Sequence, residues 1–484
     1  MQTLLLLLSI QGLIGAYDSI YHHDFKEKLS LKPIAKNELK IHSIRSLLYS
    51  ILFLSFGWTQ WQGWLAPLFA AILVIELLLT LWDFVEEDRS RVLPASERIT
   101  HTILTLNFGA ILALFMPELL RWQSLPTDLS LVDHGIYSWI MTVYGVGVIP
   151  FAIREYISFR RLGRKPKKIS DNKNSYPSMP PQNILITGGT GFIGQSLCNA
   201  LLSQGHTLTL LVRDYVKAAT LFGSSSRLTF ISSIDQLKDT DRFDTVINLA
   251  GEPIATGRWN QRKKQLIKES RFDTTKQIVH YIKTTHTKPK LFISGSAIGY
   301  YGPREDEVIT ESSPGTPCFS NELCAQWEAL AQQVQYFGVR VCLLRTGIVL
   351  GKTGGVLASM LIPFSYGLGG KLGDGRQWMS WIHIEDVVGI ILELIRNEYI
   401  SGPINATAPN PVNNAEFTRV LGKHLYRPTV LKMPGFVLRM VMGEVADELL
   451  LVGLKAIPKK ITDNGYQFLY PHLSDALVNI IGPG

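Results

Sequence analysis

The chain has 484 residues, which exceeds one ordinary domain and predicts about three domains at roughly 150 residues each. Hydrophobic residues make up 46% and charged residues only 18%, which excludes an intrinsically disordered chain and indicates that a part of it lies in a membrane. The formal net charge of +8 could indicate binding to nucleic acid, binding to anionic lipid, or basic residues that set the membrane topology. The positions of the basic residues distinguish these three explanations.

The first third of the chain contains the apolar segments. They cover residues 4–16, 44–58, 64–85, 103–120 and 135–153. Because a spanning helix needs about 20 mostly apolar residues, we predict an α-helical membrane domain over residues 1–159 with four or five spans. No basic residue precedes the first stretch and no clear cleavage site follows it, so we interpret it as a retained anchor and not as a signal peptide.

Basic residues are concentrated after the first stretch, between the third and fourth, and after the fifth. The two intervening loops carry none and one, Arg121. Because Lys and Arg near span ends are retained on the cytoplasmic side, five spans with the N-terminus outside place every basic segment inside. We therefore predict a multi-pass protein of the cytoplasmic membrane, with a basic flexible linker over residues 160–182 and the remaining chain on the cytoplasmic side.

Several ionisable residues lie in or beside these apolar stretches. They are Glu38, His42, Glu76, Asp83, Glu87, Glu97 and His101. Carboxylates and imidazoles on neighbouring helices could hold a metal ion. We favour the simpler interpretation, in which Glu38 and Glu97 lie on the cytoplasmic surface and Asp83 and Glu87 at the membrane interface. Glu76, near mid-span, is expected to hydrogen-bond inside the bundle, and no metal is expected.

An apolar strand, a glycine-rich turn and a helix follow one another from residue 183, and a second strand follows at residues 208–212. In this context the turn is typical of a dinucleotide-binding fold, because its glycines let a pyrophosphate approach the positive end of the helix. We assign eleven residues to the cofactor: Gly188, Thr190, Gly191, Phe192, Ile193, Gly194, Arg213, Asn248, Ala250, Gly251 and Ser294.

The end of the second strand favours NADP(H) over NAD(H). Val212 stands at the usual position of the acid that binds the ribose hydroxyls, and Arg213 follows it, as a 2′-phosphate requires. Asp214 leaves NAD(H) open as the alternative.

Strands alternate with helical segments over residues 183–400. This pattern predicts an α/β Rossmann fold with a doubly wound parallel sheet, followed by a small C-terminal α/β lobe over residues 401–484 on the substrate side. The four cysteines of the chain all lie in this part and include no Cys-x-x-Cys pair, which argues against a zinc site or a disulfide framework.

Five segments carry a family resemblance: TGGTGFIG at Thr187, INLAGEPI at Ile247, SGSAIGYYG at Ser294, LRTGIVLG at Leu344 and GDGRQWMSWIHIEDV at Gly373. They resemble the extended short-chain dehydrogenase/reductases, within them the atypical, sugar-nucleotide epimerase-like subgroup with a small C-terminal domain. The resemblance covers residues 183–482. It implies an NAD(P)-dependent oxidoreductase or epimerase-type activity, with Ser296 at the position of the catalytic serine.

The sequence departs from that family at its Tyr-x-x-x-Lys pair. The expected tyrosine position holds Phe319 or Ser320 and the expected lysine position Leu323 or Cys324, and none of the 17 tyrosines has a lysine four residues later. The acid/base candidates that remain, besides the catalytic serine, are Tyr300, Tyr301, Glu252, Glu328 and His383.

The substrate-facing candidates are Arg258, Trp259, Arg345, Arg376 and His383. The sequence thus predicts a membrane-anchored, NADP(H)-dependent oxidoreductase or epimerase-like protein that binds the lipid bilayer and an unknown small molecule. The alternative is a non-catalytic NADP(H)-binding regulator or membrane scaffold, motivated by the missing pair. No nucleic acid partner is indicated, because the basic runs lie at membrane boundaries without interleaved aromatic residues.

Overall fold

The computed structural model describes residues 1–27, 29, 35–91, 93–163, 179–223, 225–237, 241–255, 257–352 and 354–482. It divides into two compact units, Met1–Lys167 and Lys168–Gly482. Most of the predicted linker lies outside the described residues.

The first unit is a bundle of helices. Its long helices are α1 (Gln2–Tyr17), α2 (Lys36–Trp58), α3 (Leu65–Ser90), α4 (Ala95–Gln123) and α5 (Ile136–Gly163), and α1 continues as a π-helix over Asp18–Lys26. Among the described residues, five helical segments are long and apolar enough to cross a membrane, which matches the upper of the two predicted span numbers. A short antiparallel pair, Thr59–Trp61 with Leu129–Leu131, joins two connections at one end.

Aromatic residues fill the centre of the bundle, and aliphatic residues cover its outside. Phe56, Phe69 and Phe115 are buried against one another, with ring centroids 4.9 to 5.5 Å apart. Leu106, by contrast, is 70% exposed on the outer surface. An apolar outer surface of this kind is what a helix bundle presents to lipid.

Carboxylates at one end of the bundle contradict the surface interpretation of the sequence. Glu38 and Glu97 are 1% and 0% exposed, not on the surface as expected. Both are buried because Arg91 lies between them, at 2.9 Å from Glu38 and 2.7 Å from Glu97. Asp83 and Glu87 are likewise buried inside the bundle. Glu76 accepts hydrogen bonds from Arg45 and Thr80 inside the bundle, as predicted.

The second unit is built on a seven-stranded, fully parallel sheet. Its strands are β1 (Asn183–Thr187), β2 (Thr207–Leu211), β3 (Leu228–Ile231), β4 (Thr245–Asn248), β5 (Leu291–Ala297), β6 (Arg340–Thr346) and β7 (Gly402–Ala406). The order across the sheet is β7-β6-β5-β4-β1-β2-β3, so the chain reverses direction beside β1. This doubly wound topology confirms the predicted fold, and a ligand is expected at the carboxyl ends of the strands beside that reversal.

Helices cover both faces of this sheet. They are α6 (Phe192–Ser203), α7 (Tyr215–Phe222), α8 (Gln261–Thr284), α9 (Phe319–Gln332) and α11 (Ile384–Arg396), whereas α10 (Gly355–Ser365) packs against the short strand Ile348–Leu350. The strands are continuous apolar runs because both faces are buried. Ile186 and Ile293, for example, are fully buried in one hydrophobic core cluster of the sheet, and Phe292 is fully buried in a second cluster.

The remainder of the chain forms short elements around the carboxyl edge. The helices are α12 (Asn414–Leu425), α13 (Gly435–Met442), α14 (Lys459–Asp463) and α15 (Leu473–Ile481). Four two-stranded pairs accompany them: Ile348–Leu350 with Trp381–His383, Gly370–Leu372 with Leu431–Met433, Trp378–Met379 with Val412–Asn413, and Val308–Ile309 with Lys455–Ala456. This small C-terminal region matches the predicted lobe, and β7 lies just beyond the predicted boundary at residue 400.

Candidate functional site

The loop between β1 and α6 forms a backbone cradle at the carboxyl edge of the sheet. Gly188 has a left-handed φ of +74°, and a Cβ atom there would lie 2.6 Å from the backbone of Leu249. A Cβ atom on Gly194 would lie 2.2 Å from the Gly188 carbonyl oxygen, so both positions require glycine. Gly191 is the N-cap of α6. The first amides of this helix therefore suit a pyrophosphate.

The other predicted residues of this loop have structural contacts. The Thr190 carbonyl accepts a hydrogen bond from Gln195 at 2.9 Å. The Phe192 ring lies against a second glycine-rich turn, where a Cβ atom on Gly351 would be 2.6 Å from it. Ile193 packs against the core cluster. Phe192 and Ile193 would therefore contact a cofactor through backbone atoms.

Asn248 ties the strand ends together. Its side chain accepts a hydrogen bond from Thr187 at 2.6 Å and donates one to Thr275 at 2.9 Å. Trp327 also donates to Thr275, and the Ala250 amide donates to Asn248 at 3.3 Å. Asn248 thus holds the turn that follows β4 in a fixed position at the cofactor edge.

Arg271 is a cation at this edge that the sequence interpretation missed. Its guanidinium group lies 3.0 Å from where a Cβ atom of Gly251 would stand, and its Nη1 donates to the Glu252 carbonyl at 3.1 Å. Burial lowers the pKa of Arg271. Arg271 lies one helical turn from each of the buried residues Ile267 and Thr275. This spacing could have predicted that Arg271 lies on the inner face of α8.

Arg213 and Asp214 follow the end of β2 and differ in their hydrogen bonds and exposure. Arg213 is exposed, one residue beyond the buried Val212. Asp214 is the N-cap of α7, where its carboxylate accepts a hydrogen bond from the Lys217 amide at 2.9 Å. The Asp214 carboxylate therefore caps a helix, while the Arg213 side chain is exposed at the end of β2.

Ser296 is hydrogen-bonded to a buried glutamate. Its hydroxyl donates to Glu328 Oε1 at 2.6 Å, and Arg345 donates to both carboxylate oxygens of Glu328 at 2.8 Å. Burial disfavours the charge of Arg345, but its hydrogen bonds with Glu328 more than compensate, and its pKa is raised. Ser294 is fully buried, and its hydroxyl donates to the Gly295 carbonyl. Of the two serines, only Ser296 belongs to this network.

The two tyrosine candidates differ in burial. Tyr301 is 0% exposed, and its hydroxyl donates to Asn405 at 2.6 Å and accepts from Arg345 at 3.0 Å. Burial raises its pKa to about 12 in spite of the arginine. The Tyr300 ring lies against the Arg345 guanidinium, 3.4 Å from ring centroid to carbon. Tyr301 is therefore buried within the network, whereas Tyr300 contacts it through its ring.

His383 and Arg376 lie in positions that do not suggest contact with a substrate. His383 is 1% exposed and caps α11, with Nδ1 accepting from the Glu385 amide and Nε2 facing Asn479 at 3.1 Å. Burial lowers the pKa of His383 to about 4. The Arg376 side chain is 91% exposed. His383 is thus neutral near pH 7 and holds a helix end.

Arg258, Trp259 and Glu252 follow the turn after β4. Arg258 donates to the Val441 carbonyl at 2.8 Å, which links this loop to the C-terminal region. Trp259 is buried and donates to the Ile254 carbonyl. Glu252 pairs with Lys263 at 2.8 Å, and this hydrogen bond lowers its pKa. The geometry does not bring these three side chains to Ser296.

The second unit is similar to proteins of known family. The model of the NAD dependent epimerase/dehydratase family matches residues 184–405, and that of a domain of unknown function, DUF1731, matches residues 433–480. The chain is 39% identical over 298 residues to the chloroplastic "Epimerase family protein SDR39U1 homolog" of Arabidopsis thaliana. The match covers 61% of this chain and 85% of the relative. The chain belongs to the NAD-dependent epimerase/dehydratase family.

Two further members of the family agree with this assignment. The epimerase family protein YfhF of Bacillus subtilis is 36% identical over 304 residues, covering 62% of this chain and 98% of the relative. The crystal structure of human epimerase family protein SDR39U1 (isoform 2) with NADPH is 32% identical with a TM-score of 0.55. That match covers 62% of this chain and 99% of the human chain. The predicted resemblance, including the small C-terminal domain, is thereby confirmed.

Proposed function

We propose that this chain is a membrane-anchored, NADP(H)-dependent oxidoreductase or epimerase-like enzyme that uses a serine and a glutamate for proton transfer. The observation that carries this proposal is the buried hydrogen bond of 2.6 Å from Ser296 to Glu328, beside the glycine-rich cradle of a family fold. A scaffold without turnover has no need to bury an ionisable side chain against the serine at the catalytic position of related enzymes.

The network offers a path for one proton. The Ser296 hydroxyl donates to Glu328, so its lone pairs stay available to accept the hydrogen of a substrate hydroxyl. In the oxidising direction, Ser296 takes that proton while it passes its own to Glu328, and the substrate carbon–oxygen bond becomes a carbonyl. A bound NADP⁺ would accept the hydride that the substrate carbon loses. Reduction would reverse each of these transfers.

Arg345 is assigned as a positioning residue. It donates to both oxygens of Glu328, which fixes the carboxylate plane toward Ser296. Through Tyr301 it also connects the pair to Asn405 on β7. This arrangement keeps the carboxylate oriented, as the missing lysine would orient the tyrosine in related enzymes.

The preference for NADP(H) is supported by three observations. Arg213 is exposed beyond β2, Asp214 is committed to capping α7, and the human relative was crystallised with NADPH. The cradle of Gly188, Gly191 and Gly194 would hold the pyrophosphate, with Arg213 at the 2′-phosphate. We assign the cytoplasmic membrane as the location, with the second unit on the cytoplasmic side, on the placement of the basic residues.

Turnover assays with Glu328 variants test this proposal. The full chain in detergent is given NADPH with a panel of aldehydes, ketones, quinones and lipid extracts, and NADPH consumption is followed by absorbance. We expect Glu328→Gln and Ser296→Ala to lower turnover about 100-fold or more, the usual size of an acid/base contribution. Glu322→Gln is the matched control, because Glu322 is an exposed glutamate of the same helix.

The outcomes separate the enzyme from the alternative of a non-catalytic NADP(H)-binding regulator or membrane scaffold. NADPH binding without consumption by any member of the panel would favour the regulator. Turnover that survives in Glu328→Gln would refute the assigned proton path while keeping the enzyme.

A further inference from the structure

Helices α2 to α5 and the π-helix that extends α1 bring imidazoles and carboxylates together at one end of the bundle. The contributing ends are the π-helix after α1, the start of α2, the end of α3, the start of α4 and the end of α5. The residues are Asp18, His23, Glu38, His42, Asp83, Glu87, Glu97, His101 and Glu155. This cluster serves no step of the chemistry proposed for the second unit.

We propose that His23, His42, Glu87 and Glu38 form a binding site for one divalent transition-metal ion. Each of the four offers a ligand atom, and these atoms all lie within 4.8 Å of one another. Two ligands of the same ion lie up to about 4 Å apart when each bond is about 2.1 Å, so small side-chain movements complete the site. The rings of His23 and His42 are neighbours, with their centroids 4.6 Å apart.

Three of these side chains present buried polar atoms without hydrogen bonds. His23 is 6% exposed, His42 7% and Glu87 0%. Both ring nitrogens of His23, Nδ1 of His42 and both carboxylate oxygens of Glu87 have no hydrogen-bond partner among the described residues. Their charged neighbours lie at ion-pair distance: His23 Nε2 is 3.4 Å from Asp18, and Glu87 is 3.3 Å from His101 and 3.8 Å from Arg91. A bound metal ion would give these buried atoms shorter, directed bonds.

The surrounding residues hold the ligands as outer-shell partners do in metal sites. His42 Nε2 lies 3.0 Å from Asp83, which leaves Nδ1 as the nitrogen for the ion. Asp83 in turn pairs with Arg45. Glu38 accepts hydrogen bonds from Arg91 at 2.9 Å and Ser90 at 3.0 Å. A carboxylate that orients a ligating histidine through its second nitrogen is the usual arrangement in zinc and iron proteins.

The charge of the cluster also requires cations. Among the described residues of this unit, eight carboxylates are buried: Asp18, Asp24, Glu38, Glu76, Asp83, Glu87, Glu97 and Glu155. Three arginines pair with them, namely Arg45, Arg91 and Arg154, and four histidines lie 2.8 to 3.9 Å from them. A histidine that ligates a metal is neutral, so a divalent ion held by His23 and His42 would supply two positive charges among these carboxylates.

A second group of potential ligands overlaps the first but is already paired. Asp18, His23, Glu97 and His101 also lie close enough to share an ion. Asp18, however, lies 3.0 Å from His101, and Glu97 accepts two hydrogen bonds from Arg91. In the first group, His42 and Glu87 as well as His23 have ring or carboxylate atoms without a hydrogen bond, whereas in the second group only His23 does, so we assign the ion to the first group.

The ligand chemistry indicates the class of ion. Two imidazoles with carboxylates suit Zn²⁺, Fe²⁺ or Mn²⁺, whereas Mg²⁺ and Ca²⁺ prefer oxygen ligands alone. His23, His42 and Glu87 line a cavity of about 570 Å³ that also reaches Tyr49 and Phe108 within the bundle. This cavity gives an ion a path to the site.

Metal analysis of the purified protein tests the proposal. The full chain is freed of metal in detergent, dialysed separately against Zn²⁺, Mn²⁺ and, without oxygen, Fe²⁺, and analysed by mass spectrometry of the elements. We expect about one ion per chain with at least one of the three metals. His23→Ala and the isosteric Glu87→Gln should lower the affinity at least ten-fold, while His134→Ala, which changes a histidine outside the cluster, should not.

Co²⁺ titration of the unmodified chain covers the case in which a variant fails to fold. Bound Co²⁺ should give visible absorption bands that Zn²⁺ then removes. The absence of bound metal and of these bands in the unmodified chain would overturn the proposal. Metal binding that is equal in folded Glu87→Gln and His134→Ala would overturn it as well.

Discussion

At the scale of single residues, the proposed proton path uses a buried glutamate, Glu328, in a chain that lacks the tyrosine–lysine pair of related enzymes. The sequence alone identified Glu328 as one of several candidates, because it lies in a stretch that resembles a family motif. It could not choose among them, because the contact joins positions 32 residues apart. Arg345, expected to face substrate, has its guanidinium committed to Glu328 and Tyr301. Pairing of this kind depends on how strands and helices pack, which no local pattern contains.

Tyr301→Phe is expected to lower stability without removing the activity. The change deletes the hydrogen bond to Asn405 and the one from Arg345, both buried, which costs about 1–3 kcal/mol. NADPH consumption and thermal unfolding of the full chain would be compared with Tyr399→Phe, since Tyr399 is 95% exposed. Complete loss of turnover in a stably folded Tyr301→Phe variant would instead assign proton transfer to this tyrosine.

At the scale of elements, the glycine-rich loop was the most predictable part of the molecule. Strand, turn and helix each have a strong local signal, and Gly188 and Gly194 have no room for a side chain. The buried Glu38 and Glu97 show the opposite case. Charged residues near helix ends normally lie at a surface, and only the position of Arg91, in the connection between α3 and α4, brings them inside.

The N-terminus of α11 predicts a dependence of stability on pH. His383 has a pKa of about 4 in the folded chain against an ordinary value of 6.5, because its burial outweighs the opposing hydrogen bond with Asn479. Between these values the unfolded chain binds a proton that the folded chain does not. The stability from neutral His383 is therefore complete above pH 6.5 and is lost as the pH falls toward 4.

His383→Asn is expected to flatten this dependence. Asparagine can still cap the helix but does not titrate, so the loss of stability between pH 6.5 and 4 should shrink by about 3 kcal/mol. Thermal unfolding of the full chain across this range measures the effect, with the exposed His286→Asn as the control. An identical pH profile in both variants would contradict a buried neutral His383.

At the scale of the whole molecule, the sequence predicted the order of a membrane unit and a dinucleotide-binding unit. Both have strong signals: long apolar helices in one case and alternating strands and helices in the other. The positions of the basic residues predict that the loop after α4 is outside and the second unit inside. The order of the two units and the membrane topology can both be predicted without knowing the geometry of the site.

Cysteine labelling tests this topology. In a Cys318→Ser background, Ser124→Cys should react with a membrane-impermeant maleimide on intact cells, because Ser124 is exposed after α4. Ser203→Cys, at the exposed last residue of α6, should react only after the cells are lysed. Labelling in the reverse order would place the second unit outside.

Calorimetry of the full chain in detergent with NADPH and with NADH tests the central claim most directly. We expect one NADPH per chain, bound at least ten-fold more tightly than NADH, because a charge-assisted contact from Arg213 contributes about 1.5–3 kcal/mol. Arg213→Ser should remove this preference. Arg227→Ser should keep it, because Arg227 is an exposed arginine that precedes β3 and lies at the amino ends of the strands. Binding of neither nucleotide, or equal binding of both to the unmodified chain, would contradict the account.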